Sequence, residues 1–333
     1  MKGEPMQRRT FITLLSGAAA AWPLDVRAQQ AERVRRIGVL WRGDVTEGFV
    51  QVLQGALLEG LAKLGWIEGR NMRFDLRYSA DDADLIRKHA DELVGLGPDV
   101  IATSSHPVTR AVLQRTRTIP IVFINVADPV AGGLLKNIAR PEGNATGITS
   151  IYLPMGGKWL ELLKEAAPRI TRVAFIFAPE NVNDQFFGVM DAAAEVRAVK
   201  VIRMPYRNAA ELERAIDAFA AESNGALLMV PPPPTPANAE LINRLAVKYR
   251  LPTIYSSKYH VALGGMISYG PPIGESYQIA ATYVDRILRG AKINELPVQF
   301  PNRIELVVNL KTVKALGLTL PRRVLASVNE FIE

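Results

Sequence analysis

Three short segments of this 333-residue chain carry side chains able to hold a small polar molecule or act on one. Ser104-Ser105-His106 follows an apolar run and precedes Pro107, so two hydroxyls and several amides stand where a helix begins. Such a start suits a carboxylate or phosphate, although either serine could simply cap the helix. Asp128, in Asp128-Pro129, is a counter-ion for an ammonium or the first residue of a tight turn. Asn181 and Asn183 offer neutral donors and acceptors, or cap a helix starting near Asp184. The partners that would make these groups catalytic are missing. The three histidines, His89, His106 and His260, have no metal-ligand spacing, and there is no cysteine to act as nucleophile or ligand. No nucleophile elbow, phosphate-cradling loop or dinucleotide fingerprint occurs. A His106/Asp128 acid–base pair would lack an identifiable nucleophile. The residues therefore read as binding without chemistry, with no catalytic residue, metal or cofactor.

The elements that must position these groups alternate strand and helix. Val34–Leu40, Asn71–Tyr78, Val100–Thr103 and Ile119–Asn125 read as strands, separated by helices over Phe49–Leu64, Asp84–Leu96 and Val108–Arg117. That order predicts a parallel sheet covered on both faces by right-handed crossovers. Landmarks then recur at an offset of 132 residues: Ile119-Pro120-Ile121-Val122-Phe123 by Leu251-Pro252-Thr253-Ile254-Tyr255, and Gly132-Gly133-Leu134 by Gly264-Gly265-Met266. Two similar α/β lobes are expected, and two facing lobes make a cleft that can close. The second lobe's strands are placed at Val173–Phe177, Lys200–Pro205, Ala226–Val230, Thr253–Ser256 and Met266–Tyr269, with a late strand at Ile304–Asn309. Helices are expected over Glu275–Leu288, Lys311–Leu316 and Arg322–Phe331. Pro231-Pro232-Pro233-Pro234 is a rigid extended turn at a strand's carboxyl end.

Residues 1–28 stand apart from that globule. Arg8-Arg9 precede an apolar run from Phe11 to Ala21, and Val26-Arg27-Ala28 ends it as a cleavage site would. The segment reads as an export signal cut near Ala28, which places the mature chain in the periplasm. Arg8-Arg9-Thr10-Phe11-Ile12 resembles a twin-arginine signal, with ordinary Sec export as the alternative. The lack of cysteine excludes a lipid anchor on that residue. Loss of four cations and two carboxylates with the leader lowers the net charge from +7 to about +5. No basic run is interleaved with aromatics, so nucleic acid is not an expected partner.

Several segments in order and spacing resemble the ABC-transporter substrate-binding proteins that include the tryptophan-binding TrpX-like proteins. They are Gly65-Trp66-Ile67-Glu68-Gly69-Arg70-Asn71, Asp128-Pro129-Val130, Arg140-Pro141-Glu142-Gly143-Asn144-Ala145-Thr146-Gly147, Gly264-Gly265-Met266-Ile267-Ser268-Tyr269-Gly270 and Asn309-Leu310-Lys311-Thr312-Val313-Lys314-Ala315-Leu316-Gly317. The resemblance spans essentially the whole mature chain. It implies a two-lobed periplasmic-binding-protein-like fold of type I, each lobe a parallel sheet flanked by helices with a hinge between. It also implies a small-molecule solute as ligand and ABC permease membrane subunits as partners. The chain departs from the family pattern at Ser104-Ser105-His106-Pro107, at Asn125-Val126-Ala127 and at the four prolines, all on the expected cleft.

One lobe is expected to hold residues 31–150 and about 270–302, the other 151–269 and about 303–333. The expected ligand-binding set is Trp41, Ser104, Ser105, His106, Asn125, Asp128, Tyr152, Asn181, Asn183, Ser256 and Tyr269. Trp41 and Tyr152 would suit a planar solute, whereas Tyr269 is as well explained by packing. A monomer is expected, closing over an amino acid or another aromatic or carboxylate ligand. The competing readings are a periplasmic sensor feeding a membrane receptor and an exported hydrolase or lyase.

Overall fold

The computed structural model describes residues 34–46, 48–80, 82–126, 128–149, 155–177, 184–229, 236–272 and 274–333. Two sheets organise them. The first has five parallel strands in the order β2-β1-β3-β4-β5: β1 (Arg35–Trp41), β2 (Met72–Tyr78), β3 (Val100–Thr103), β4 (Ile121–Val126) and β5 (Ala145–Thr149). Helices α1 (Gly48–Lys63), α2 (Ala83–Gly95) and α3 (His106–Leu113) make its crossovers. The strands are near-continuous apolar runs because both faces are covered. Ile37, Val39 and Trp41 of β1 point into one core layer with Val50, Leu53 and Leu57 of α1, while Leu40 points into the other with Ile86 and Val108.

The second sheet has seven strands in the order β12-β11-β10-β9-β8-β6-β7. These are β6 (Arg172–Phe177), β7 (Lys200–Pro205), β8 (Gly225–Met229), β9 (Thr253–Tyr255), β10 (Ile267–Gly270), β11 (Glu305–Asn309) and β12 (Glu330–Ile332). Helices α4 (Met155–Ala166), α5 (Asp184–Val196), α6 (Ala209–Ala220), α7 (Pro236–Tyr249) and α8 (Lys258–Ala262) accompany its first strands. All its pairings are parallel except β10 with β11, which run antiparallel.

The chain moves between the sheets after β5, after β10 and before β11. Helix α9 (Glu275–Leu288) follows a strand of the second sheet yet packs on α1 and on β4 and β5 of the first. Its approach is close: a Cβ on Gly60 would stand 2.7 Å from Cβ of Ala281. Gln299 then docks along β5, its amide donating to Gly147 O at 3.0 Å and its carbonyl accepting from Thr149 N at 2.9 Å. Two short helices, α10 (Leu310–Ala315) and α11 (Arg322–Ala326), close the chain before β12.

The helix expected over Arg322–Phe331 stops at Ala326. Asn329 accepts from Leu306 N at 2.8 Å through its side chain and donates its own amide to Leu306 O at 2.9 Å. These bonds convert the last residues to a strand that covers the open edge of β11.

Candidate functional site

The carboxyl ends of the two sheets face each other. Phe49 opens α1 just beyond β1, Tyr259 lies in α8 just beyond β9, and their rings meet at 4.6 Å between centroids. Ligands in α/β sheets meet these strand ends and the helix starts beside them.

On the first sheet, Trp41 ends β1 and is 1% exposed. Its indole lies on the ring of Tyr277 from α9, with centroids 5.3 Å apart and planes 20° apart. Tyr277 also receives a long hydrogen bond at 3.5 Å from Nδ2 of Asn125. Asn125 has φ of +59° and interrupts the pairing of β4 with β5 between Ile124 and Val126. Asparagine tolerates that left-handed backbone, so the bulge turns its amide toward α9 instead of continuing the strand alternation. Trp41, Asn125 and Tyr277 thus form one packed group at the sheet's rim.

Ser104 and Ser105 divide their work. Oγ of Ser104 accepts from Arg42 N at 2.8 Å and ties the β3 end to the β1 end. Ser105 is the N-cap residue of α3, but its side chain makes no capping bond. It is 6% exposed, and its buried Oγ has no partner. The first-turn amides of an α-helix have no partner within the helix, and Pro107 supplies none. A buried hydroxyl beside a helix start is a preformed anion cradle.

His106 and Asp128 are engaged locally. The His106 ring lies against Gly132, where an added Cβ would stand 2.4 Å from its Cε1, and its Nε2 sits 3.0 Å from Nη2 of Arg110. Burial, with Arg110 assisting, lowers the His106 pKa below the usual histidine value. Asp128 Oδ1 accepts from Val130 N and Ala131 N at 3.0 and 2.9 Å, shaping the turn, while Oδ2 accepts no hydrogen bond.

Polar atoms buried without a partner gather at this rim. They are Trp41 Nε1, Ser105 Oγ, Thr149 Oγ1 at the end of β5, and Glu275 Oε2 at the start of α9. Among the described residues, His89 Nδ1 and the His260 ring, which stacks on Tyr255 beside the second sheet, lie elsewhere. Each unmet buried group costs roughly 1–3 kcal/mol, so such a cluster marks a place where a guest completes the bonding. Burial raises the Glu275 carboxyl pKa, with Arg303 opposing.

On the second sheet, Ser256 follows β9 and is buried, its carbonyl packed against Gly270. Tyr269 packs half-buried on the core, and its carbonyl accepts from Trp159 Nε1 at 2.6 Å. The structure therefore brings Trp41, Ser104, Ser105 and Asn125 together at one rim and sets Ser256 and Tyr269 at the ends of β9 and β10. His106 and Asp128 flank the first group. Tyr152, Asn181, Asn183, the four prolines and the expected leader lie outside the described residues. Phe49, Thr149, Tyr259, Glu275 and Tyr277 escaped sequence reasoning. The signal available for Tyr277 and Glu275 was their place just after Gly270-Pro271-Pro272, a segment expected to pass between lobes.

Among the described residues no group of three or more His, Asp or Glu is arranged to hold a metal ion, and no helix is long and apolar enough to cross a membrane. A family model described as ABC transporter substrate binding protein matches residues 46–332. A tyrosine-binding protein of Clostridioides difficile (strain R20291) is 26% identical over 263 residues, covering 78% of this chain and 75% of that one. A conserved domain protein of Vibrio cholerae superposes with a TM-score of 0.82 at 25% identity, over 90% of this chain and 100% of that one. A Streptococcus pneumoniae ABC domain solved in complex with L-Trp gives 0.81 at 21% identity, over 90% and 99%.

Proposed function

The chain belongs to the ABC transporter substrate-binding protein family, and on that premise we propose that it is the exported solute receptor of an ABC importer. It takes an amino acid, of the aromatic kind, between its two sheets, closes over it by bending at the three crossings, and presents it to the membrane permease. The ligand leaves unchanged. Lobe one comprises residues 31–150 and about 270–302, and lobe two the remainder of the mature chain.

The observation that carries this reading is the group of buried, unpartnered polar atoms at the first sheet's strand ends and the start of α9. A carboxylate fits Ser105 Oγ and the start of α3. An ammonium needs an acceptor, and Asp128 and Glu275 each keep one carboxylate oxygen out of any hydrogen bond. The buried Trp41–Tyr277 stack makes a rigid base beneath the rim, and the Phe49–Tyr259 contact brings the opposite rim near. The tyrosine- and tryptophan-binding relatives support an aromatic amino acid over other carboxylates.

Ser105→Ala separates binding from folding. Because its hydroxyl has no partner in the unliganded protein, removing it should leave stability unchanged or raise it by up to about 1 kcal/mol. The same change should weaken L-tyrosine or L-tryptophan at least tenfold by calorimetric titration. A destabilised apo protein, or an unaltered dissociation constant for whichever amino acid the wild type binds, would remove Ser105 from the site.

A further inference from the structure

A second recess lies at the opposite pole of the first sheet, by the amino ends of β4 and β5. Its volume is about 690 Å³, and its lining includes Arg117, Arg140, Glu142 and Lys292. We infer that this recess binds a phosphate-bearing anion.

Each cation stands on a turn held in place by its neighbours. Thr116 Oγ1 accepts from the amides of Thr118 and Ile119 at 3.3 and 3.1 Å, which fixes the loop bearing Arg117. Asn137 Oδ1 accepts from the amides of Ala139 and Arg140 at 2.8 and 3.2 Å. Asn144 is 7% exposed and donates to Thr116 O and Ile119 O at 3.3 and 2.7 Å, joining the Arg140–Asn144 turn to the Arg117 loop. Glu295 Oε2 accepts from Lys292 N at 3.3 Å and orders the third wall. This accounts for the Arg140-Pro141-Glu142-Gly143-Asn144 segment, which the inter-sheet rim does not use.

The charges on these turns are unanswered. Elsewhere most arginines pair with carboxylates, as Arg35 does with Asp99 and Arg115 with Asp91. Among the described residues Arg117, Arg140 and Lys292 pair with none, Glu142 included. The lining carries three cations and one carboxylate, an excess of two positive charges that falls to one when the Glu295 carboxylate beside Lys292 is counted, against the roughly −1.5 to −2 of a phosphate monoester at neutral pH. Each guanidinium fork can hold two phosphate oxygens at once. The volume leaves room for an organic body, so a soluble phosphate ester and the headgroup of an anionic phospholipid present the same chemistry.

The test titrates the purified protein with glycerol 3-phosphate, followed by phosphorus NMR. In parallel it is sedimented with vesicles of phosphatidylglycerol in phosphatidylcholine. Wild-type protein should show saturable, salt-sensitive binding in at least one arm, and Arg117→Gln/Arg140→Gln together should weaken it at least tenfold with an unchanged melting temperature. A response to the ester assigns the soluble source, and a response to vesicles alone assigns the headgroup. Absence of binding in both arms, or equal binding by wild type and the double variant, overturns the inference. The outcome is independent of amino-acid binding at the other pole.

Discussion

Gly270→Ala is expected to destabilise the protein by about 3 kcal/mol or more, the upper end of the cost of overpacking a filled interior. Gly270 ends β10 beside the residue that follows β9. A Cβ there would stand 1.8 Å from the carbonyl oxygen of Ser256 and 2.8 Å from its carbonyl carbon. Both offending atoms are backbone, so no rotamer relieves the clash, and the strand end must shift instead. Ser256 leads directly into α8, which carries Tyr259 and His260, so the shift should displace the second sheet's rim as well as loosen its core. Urea unfolding would measure the loss. Gly55→Ala is the control: it sits exposed in α1 with nothing within 4 Å of an added Cβ, and should gain up to about 1 kcal/mol. Equal stability of Gly270→Ala and wild type would mean that β9 and β10 lie farther apart than described.

Acid should weaken the fold through His260. Its ring stacks on Tyr255 with centroids 5.1 Å apart and planes 3° apart, meets Tyr259 edge-on at 5.7 Å, and is 2% exposed. Neither nitrogen makes a well-formed hydrogen bond, and burial lowers its pKa to about 4, from 6.5, with the Ser257 backbone opposing. Above pH 6.5 both folded and unfolded chains hold it neutral, and its contribution is complete. Between pH 6.5 and 4 the unfolded chain takes a proton that the folded chain refuses, so stability falls by about 3 kcal/mol in total. His106, also lowered, adds a smaller change of the same sign. His260→Phe preserves the stack and removes the proton, so its stability should fall less over that interval. Parallel pH profiles for the two proteins would rule out the buried, unbonded imidazole.

How far the sequence foretold this molecule varies with the range of the interaction. Local pattern was enough for the strands at Val173–Phe177 and Lys200–Pro205 and for the helix at Glu275–Leu288, because apolar period and Gly/Pro punctuation act within a few residues. Ser105 was also visible, since a serine two residues ahead of a proline marks a helix start. Local pattern could not show that Ser105 would leave its own helix uncapped. Nor could it pair Asn125 with Tyr277, 152 residues later, or bring Phe49 to Tyr259. The first contact exists only once α9 has returned from the second sheet to the first, and the second only once the two rims stand side by side. The same limit hid β12: Glu330–Ile332 resembles a helix end until the bare edge of β11 is known to lie beside it.

An amino acid is expected to fill the bonding left open between the two rims and to depart unaltered. Equilibrium dialysis of the purified protein against a mixture of the twenty amino acids, with the retained compound identified by mass spectrometry, tests it most directly. One aromatic amino acid should be retained at a 1:1 ratio and recovered chemically intact. Retention of none, or recovery of a transformed product, would contradict it.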